Sequence, residues 1–364
     1  MLTPRARIRA ALRGEWADRV PFSVYWLMFP RGDVERRLRN EGVAVVERVP
    51  VFRIEMPNVE VSAREYYSGG LRMLAETVRT PVGEVHAIRA LDPSYGTSWF
   101  TKEFYLKEPD DYRVLEFMVR DTRYEPNYEA FHLAEERLGA DGYVIGNTGY
   151  TPMNKLLIEW LGIERFSLDL RRRPDHLLGL YELLVAKQRE MYQVAAASPA
   201  ELLIYGGNIH QDVVGLKRFE QYYVPCLNEF ADVVHQSGKL AACHLDANMS
   251  TLVEAVGRCR MDVVEAFTPV PTCDVTVAQA RAAWPDKVLW VNFPSSVHLE
   301  SEERIRAETL RILSDAAPGN RFLIGITEDM PENAWRHSLC TISQALLQHG
   351  ALPLPCPDKQ SVHP

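Results

Sequence analysis

His244 and Asp246 stand two residues apart at the end of the apolar run Leu240 to Leu245, so on a strand their side chains face the same way. An imidazole and a carboxylate on one face can share a proton or hold a cation. Glu265 lies inside a second apolar run, Asp262 to Phe267, where a carboxylate needs a cationic or metal partner. With Glu328, past the run Phe322 to Thr327, these residues offer one nitrogen and three oxygen donors. Such a set suits zinc first, with iron or manganese as alternatives, rather than a soft thiolate-bound metal. The same groups equally describe a hydrogen-bonded His/Asp/Glu network that binds substrate directly, and the residue types leave both readings open.

Other polar residues collect where strands end: Asn147, Asn208, His210, Asp212, Asn292 and the triplet Thr327-Glu328-Asp329. Singly, each is an ordinary turn former or helix cap. Their recurrence at strand ends is what points to a site. Asn147, Asn208 and Asn292 are expected to contact substrate, and His210, Asp212 and Glu328 to move protons. Tyr25 and Trp26, with Phe29, can cover an apolar ligand or simply pack the first strand.

The elements that must position these groups are legible as eight short β-rich runs: Val20 to Trp26, Val51 to Met56, Tyr143 to Asn147, Leu202 to Gly207, Leu240 to Leu245, Asp262 to Phe267, Val288 to Phe293 and Phe322 to Thr327. Helical patterns separate most of them: Asp33 to Arg48, Met153 to Leu170, Pro174 to Ala197, Leu216 to Gln236, Ser250 to Arg258, Val275 to Ala283 and Glu302 to Ala316, with Glu332 to His349 last. A first helix is expected from a Thr3-Pro4 cap to Gly14. Strands apolar on both faces and alternating with helices signal a parallel sheet covered by helices, and the repeat favours an α/β TIM (β/α)8 barrel over an open sheet. Residues 1–350 are expected to form this one domain. Residues 59–121 break the alternation and are expected to form an antiparallel β insertion over one end of the barrel; residues 351–364, rich in proline, are expected to be extended or disordered.

The balance of 41 Lys+Arg against 49 Asp+Glu gives a net charge of −8, and no basic run exceeds Arg171-Arg172-Arg173, which excludes a nucleic-acid partner. No apolar stretch is long enough to span a membrane or serve as a signal segment. Six scattered cysteines without a CxxC pair argue against a disulfide framework and for a cytoplasmic protein. A small-molecule substrate and a monomer or homodimer are the expected partner and state.

Three stretches carry a family resemblance. Thr3-Pro4-Arg5 with Ala10-Ala11-Leu12-Arg13-Gly14-Glu15 and Asp18-Arg19-Val20-Pro21 is one. The surroundings of Phe219, Tyr222, Tyr223, Pro225 and Leu227, followed by Gly238-Lys239 and the strand bearing His244, are the second. Gly325-Ile326-Thr327-Glu328-Asp329-Met330-Pro331-Glu332-Asn333 is the third. Together they resemble the uroporphyrinogen decarboxylase superfamily, which implies a TIM barrel. That superfamily holds porphyrinogen decarboxylases, cobalamin-linked methyltransferases and relatives of cobalamin-independent methionine synthase.

The decarboxylase branch carries an arginine-rich carboxylate clamp after its first strand, where this chain keeps only Arg31 amid apolar residues. The methyltransferase branches bind zinc through a histidine, a cysteine two residues later, in some members a glutamate on the next strand, and a last-strand cysteine. His244 and Glu265 match two of these positions, whereas Asp246 and Glu328 stand where thiolates are expected. Carboxylates make the site harder and favour an oxygen ligand over a thiol acceptor. The resemblance therefore implies a metal-assisted methyltransferase moving a methyl group between a small molecule and a corrinoid carried on a separate protein. Its alternatives are a decarboxylase or lyase acting on a small carboxylic acid or porphyrinogen, and a non-catalytic binding protein.

Overall fold

The computed structural model describes residues 1–92, 98–328 and 330–356. Thr3 caps the first helix, Pro4–Arg13, by accepting from the Ala6 N–H at 3.2 Å, and Gly14 ends it in the left-handed conformation, φ 74°. The helix presents Ile8, Ala11 and Leu12 to inward-facing strand residues such as Val46, Tyr143 and Leu323 and plugs the bottom of the barrel.

The first two strands, β1 (Phe22–Tyr25) and β2 (Ala44–Pro50), enter the barrel. The chain then leaves it: β3 (Phe52–Glu55) precedes an antiparallel sheet of β4 (Glu60–Ser68), β5 (Leu71–Thr80), β6 (Gly83–Leu91) and β7 (Trp99–Glu103). After a helix, Asp111–Asp121, β8 (Arg123–Pro126) returns to pair antiparallel with β3. Six strands complete the ring: β9 (Gly142–Asn147), β10 (Leu202–Ile204), β11 (Leu240–His244), β12 (Val263–Phe267), β13 (Val288–Asn292) and β14 (Phe322–Ile326). All eight barrel strands are parallel, and β1 closes the ring by pairing with both β14 and β2.

The expected TIM barrel and its antiparallel insertion are therefore present, but the second strand is not the run expected. Val51 to Met56 forms the outlying β3, and the barrel strand is Ala44–Pro50, the second half of what reads as a helix from Asp33 to Arg48. That helix stops at Asn40, because Gly42 turns the chain with φ 84° and its N–H bonds back to the Arg39 carbonyl. A side chain at Gly42 would collide with the Arg19 and Arg7 guanidiniums. The insertion also has a strand that sequence patterning passes over, β4, whose residues are mostly exposed and carry little apolar alternation.

Two apolar layers form the core. Inward residues of the strands, including Ala44, Val46, Ile145, Ala242 and Trp290, fill the barrel, while outward ones pack beneath the helices. Beyond Gly350, Ala351 pairs with Arg19 and Leu354 is buried, so this stretch lies as an arm along the barrel's lower end; the remainder of the tail, 357–364, falls outside the described residues. No helix of the described residues is long and apolar enough to cross a membrane.

Candidate active site

Alternation along the strands brings the polar groups together. Below lie the inward residues Ala44 and Val46 on β2, Tyr143 and Ile145 on β9, Ala242 on β11 and Val263 on β12. One further step of two along the same strands reaches Arg48, Asn147, His244 and Glu265, and Tyr25 tops β1. This upper layer is at the C-terminal ends of the strands, where barrel enzymes carry their chemistry.

At its floor, His244 lies between two carboxylates. Its Nδ1 is 2.6 Å from Glu265 Oε2 and its Nε2 is 3.2 Å from Asp246 Oδ2. The other Glu265 oxygen accepts from the Tyr25 hydroxyl. Burial alone would depress the imidazole pKa, but Glu265 and Asp246 outweigh it and raise the value to about 9. Burial likewise opposes ionisation of Glu265 and Asp246, yet the imidazolium holds both below the usual carboxylate range. The Tyr25 phenol is pushed well up by burial and by Glu265 and stays protonated. At neutral pH the set is an imidazolium between two carboxylates. Glu265 is fully buried while the Asp246 side chain keeps 22% exposure, so the Nε2 side of the ring is the route to solvent.

Backbone geometry supports this arrangement. Gly207, at φ 155°, passes over the ring, and a Cβ there would lie 3.3 Å from His244 Cβ. Ala266, next to Glu265, holds φ 59° where the register of β12 shifts, a strained conformation for alanine at the point that aims the carboxylate inward.

Above His244 opens a cavity of about 630 Å³ whose walls include Tyr25, Trp26, Arg48, Asn147, Tyr150 and Asn208. A second chamber of about 500 Å³, more apolar, is walled by β3, β8, the helix Asp111–Asp121 and Arg89 of the insertion. Asn147, Gly149, Tyr150 and Glu159 line both. Arg48 and Tyr150 were not among the expected site residues. Arg48 was hidden by the helical reading of its strand; the stop at Gly42 followed by Val43-Ala44-Val45-Val46 is the signal that would have found it. The Arg48 guanidinium lies 4.6 Å over the Tyr25 ring.

The other expected residues divide. Asn147 and Asn208 line the cavity; Asn208 donates to the Tyr150 hydroxyl at 3.0 Å. Trp26 is half-buried on the rim, with the Arg31 guanidinium 4.1 Å from its ring centre. Asn292 is buried away from the cavity wall, bonded to the Thr327 N–H at 3.0 Å and to Thr268 Oγ1 at 3.2 Å. Glu328 accepts from Ser295 and from Thr268, with burial raising its pKa, and makes no hydrogen bond to His244 among the described residues. His210 is half-buried and Asp212 exposed; His210 Nδ1 accepts from the Asp212 N–H at 3.3 Å and caps the short helix Gln211–Val214. Asp329 lies outside the described residues.

The expected metal donors do not form a cage as folded. Both imidazole nitrogens face carboxylates, both Glu265 oxygens are taken, and Glu328 is turned to Ser295 and Thr268. Among the described residues, no group of three or more His, Cys, Asp or Glu is placed to hold an ion. This donor set does not fit a bound divalent metal unless a carboxylate first leaves the imidazole.

A closed ring of eight parallel strands with a buried His–carboxylate cluster at its mouth defines the class as a TIM-barrel protein. The uroporphyrinogen decarboxylase (URO-D) family model matches residues 94–334, more than half of the chain, and the chain belongs to that family. Among solved structures it is similar to a methyltransferase from Methanosarcina mazei, with 14% identity, TM-score 0.53, and coverage of 94% of this chain and 99% of that one. At that identity the likeness concerns the fold. A GH5-4 broad-specificity endoglucanase from an uncultured bacterium, with 8% identity, TM-score 0.39, and coverage of 95% and 97%, is too distant to inform further. No curated protein matches the sequence.

Proposed function

We propose that the protein is an enzyme of methyl transfer that removes a methyl group from a small, oxygen-bearing molecule bound at the barrel mouth. The observation that carries this reading is the placement of His244 at the floor of the cavity between Glu265, 2.6 Å from Nδ1, and Asp246, 3.2 Å from Nε2, two carboxylates that favour its protonated form. When an ether C–O bond breaks, both electrons stay on oxygen, which needs a positive partner or a proton. His244 supplies that proton through its Asp246-facing side, and the methyl carbon passes to the acceptor's nucleophile. Glu265, fixed by Tyr25, orients the ring and stabilises its charge until transfer. Proton donation here takes the role that a metal was expected to play. The corrinoid expected as methyl carrier would reside on a separate protein and approach the open mouth; support for methyl as the group moved comes from the family and from the barrel's likeness to a methyltransferase from Methanosarcina mazei.

A second reading is favoured by Arg48, a cation in the same cavity. A carboxylic acid could lose CO2 there, the electron pair remaining on carbon until His244 protonates it. One set of assays separates the two. Purified protein with reduced corrinoid carrier and a panel of methoxylated compounds should change the corrinoid absorbance, and His244→Asn should abolish the change. CO2 release from small acids without any corrinoid response would replace methyl transfer by decarboxylation. Elemental analysis of the active protein is expected to show no stoichiometric divalent metal; one zinc per chain, lost in His244→Asn, would overturn the proton-donor mechanism.

A further inference from the structure

Arg48 is an inward-facing residue on β2, exposed to the cavity, and among the described residues it makes no hydrogen bond or ion pair. Its guanidinium lies over a ring face, Tyr25 at 4.6 Å, and feels Glu265 and Asp246 through space without bonding to them, which leaves its five N–H donors without a hydrogen-bond acceptor among the described residues. The nearby acids are otherwise engaged: Glu265 and Asp246 with His244, Glu47 with Arg137 at 2.6 Å, and Glu159 with Lys155 at 2.6 Å. The remaining walls are aromatic and amide, with Trp26, Tyr150, Asn147 and Asn208. A planar cation with a free edge beside flat aromatic surfaces matches a planar anion on an aromatic ring.

We infer that Arg48 is the specificity determinant of this cavity, pairing bidentately with the carboxylate of a small aromatic acid whose ring lies along Tyr150. The carboxylate anchors on β2, and the opposite end of the ring is directed toward the His244 and Asp246 side. The inference deepens the proposed function, because it names the substrate class for the same site, but it concerns binding and not the reaction.

The test is calorimetric titration of the full chain with 4-methoxybenzoate and with its neutral counterpart 4-methoxybenzamide. Wild-type protein should bind the acid at least about tenfold more tightly, the scale of a charge-assisted pair. Arg48→Gln should erase that preference by weakening the acid and sparing the amide, and Arg48→Lys should restore part of it. A thermal melt of each variant checks folding, and the Lys variant keeps the comparison valid if Gln proves unstable. Equal affinity for acid and amide, a preference that survives Arg48→Gln, or no binding of either compound overturns the inference. His244→Asn should keep the acid affinity within a few-fold while losing turnover. Acid binding through Arg48 without any methyl transfer would therefore sink the proposed function alone.

Discussion

The parallel register of β11 and β12 pairs His244 directly with Glu265, and the two side chains meet at 2.6 Å between Nδ1 and Oε2. A slip of one residue would turn either group to the outer face. The charge on the imidazole is thus set by strand register as much as by composition.

Replacing Glu265 by Gln removes the stronger of the two acidic contacts. The His244 pKa is then expected to fall from about 9 toward the ordinary 6.5. NMR titration of the ring carbons would read the shift directly. A value still near 9 in the variant would mean that Asp246 alone fixes the proton.

The same shift has a signed effect on stability. Because the folded value lies above the unfolded one, protonation of His244 stabilises the fold fully below about 6.5, and this contribution is lost as pH rises through about 9. Urea denaturation should show the stability gap between wild type and His244→Asn narrowing from about pH 7 to about pH 10. A gap that widens across that interval would contradict a protonated ring.

Tyr25→Phe deletes the donor to a Glu265 oxygen in a fully buried setting. Leaving that oxygen unpaired is expected to cost about 1–3 kcal/mol. Chemical unfolding checks the number, and an unchanged midpoint would show that water replaces the hydroxyl.

Gly207→Ala forces a side chain into a backbone at φ 155° and against His244. A destabilisation of about 1–3 kcal/mol is expected, with a loss of turnover larger than the unfolded fraction explains. Comparing activity per folded molecule, measured by near-UV dichroism, tests this.

How much of this was legible in the sequence depends on how local the signal was. The spacing of His244 and Asp246, and a carboxylate inside the apolar run around Glu265, were enough to place those groups in one site, because period two fixes which face a residue takes. The helix from Pro174 to Ala197 and that from Glu302 to Ala316 carry their own start and stop signals and fall where expected. Arg48 was lost because Val43 to Val49 continues a charged helical pattern without a proline or polar gap, and only the conformation of Gly42 separates the two. Asn292 and Glu328 were correctly placed at strand ends, but their hydrogen-bond partners, Thr268 and Ser295, sit on loops after other strands, which spacing does not disclose.

Tyr150 and its neighbours Asn147, Gly149 and Glu159 stand as the shared wall between the chamber over His244 and the apolar one beside it. Because the same residues face both chambers, ligand length in this barrel is governed by these side chains and not by the strands. Trimming Tyr150 would merge two small rooms into one long gallery, and a lineage could change the size of what it accepts without disturbing the proton-bearing floor.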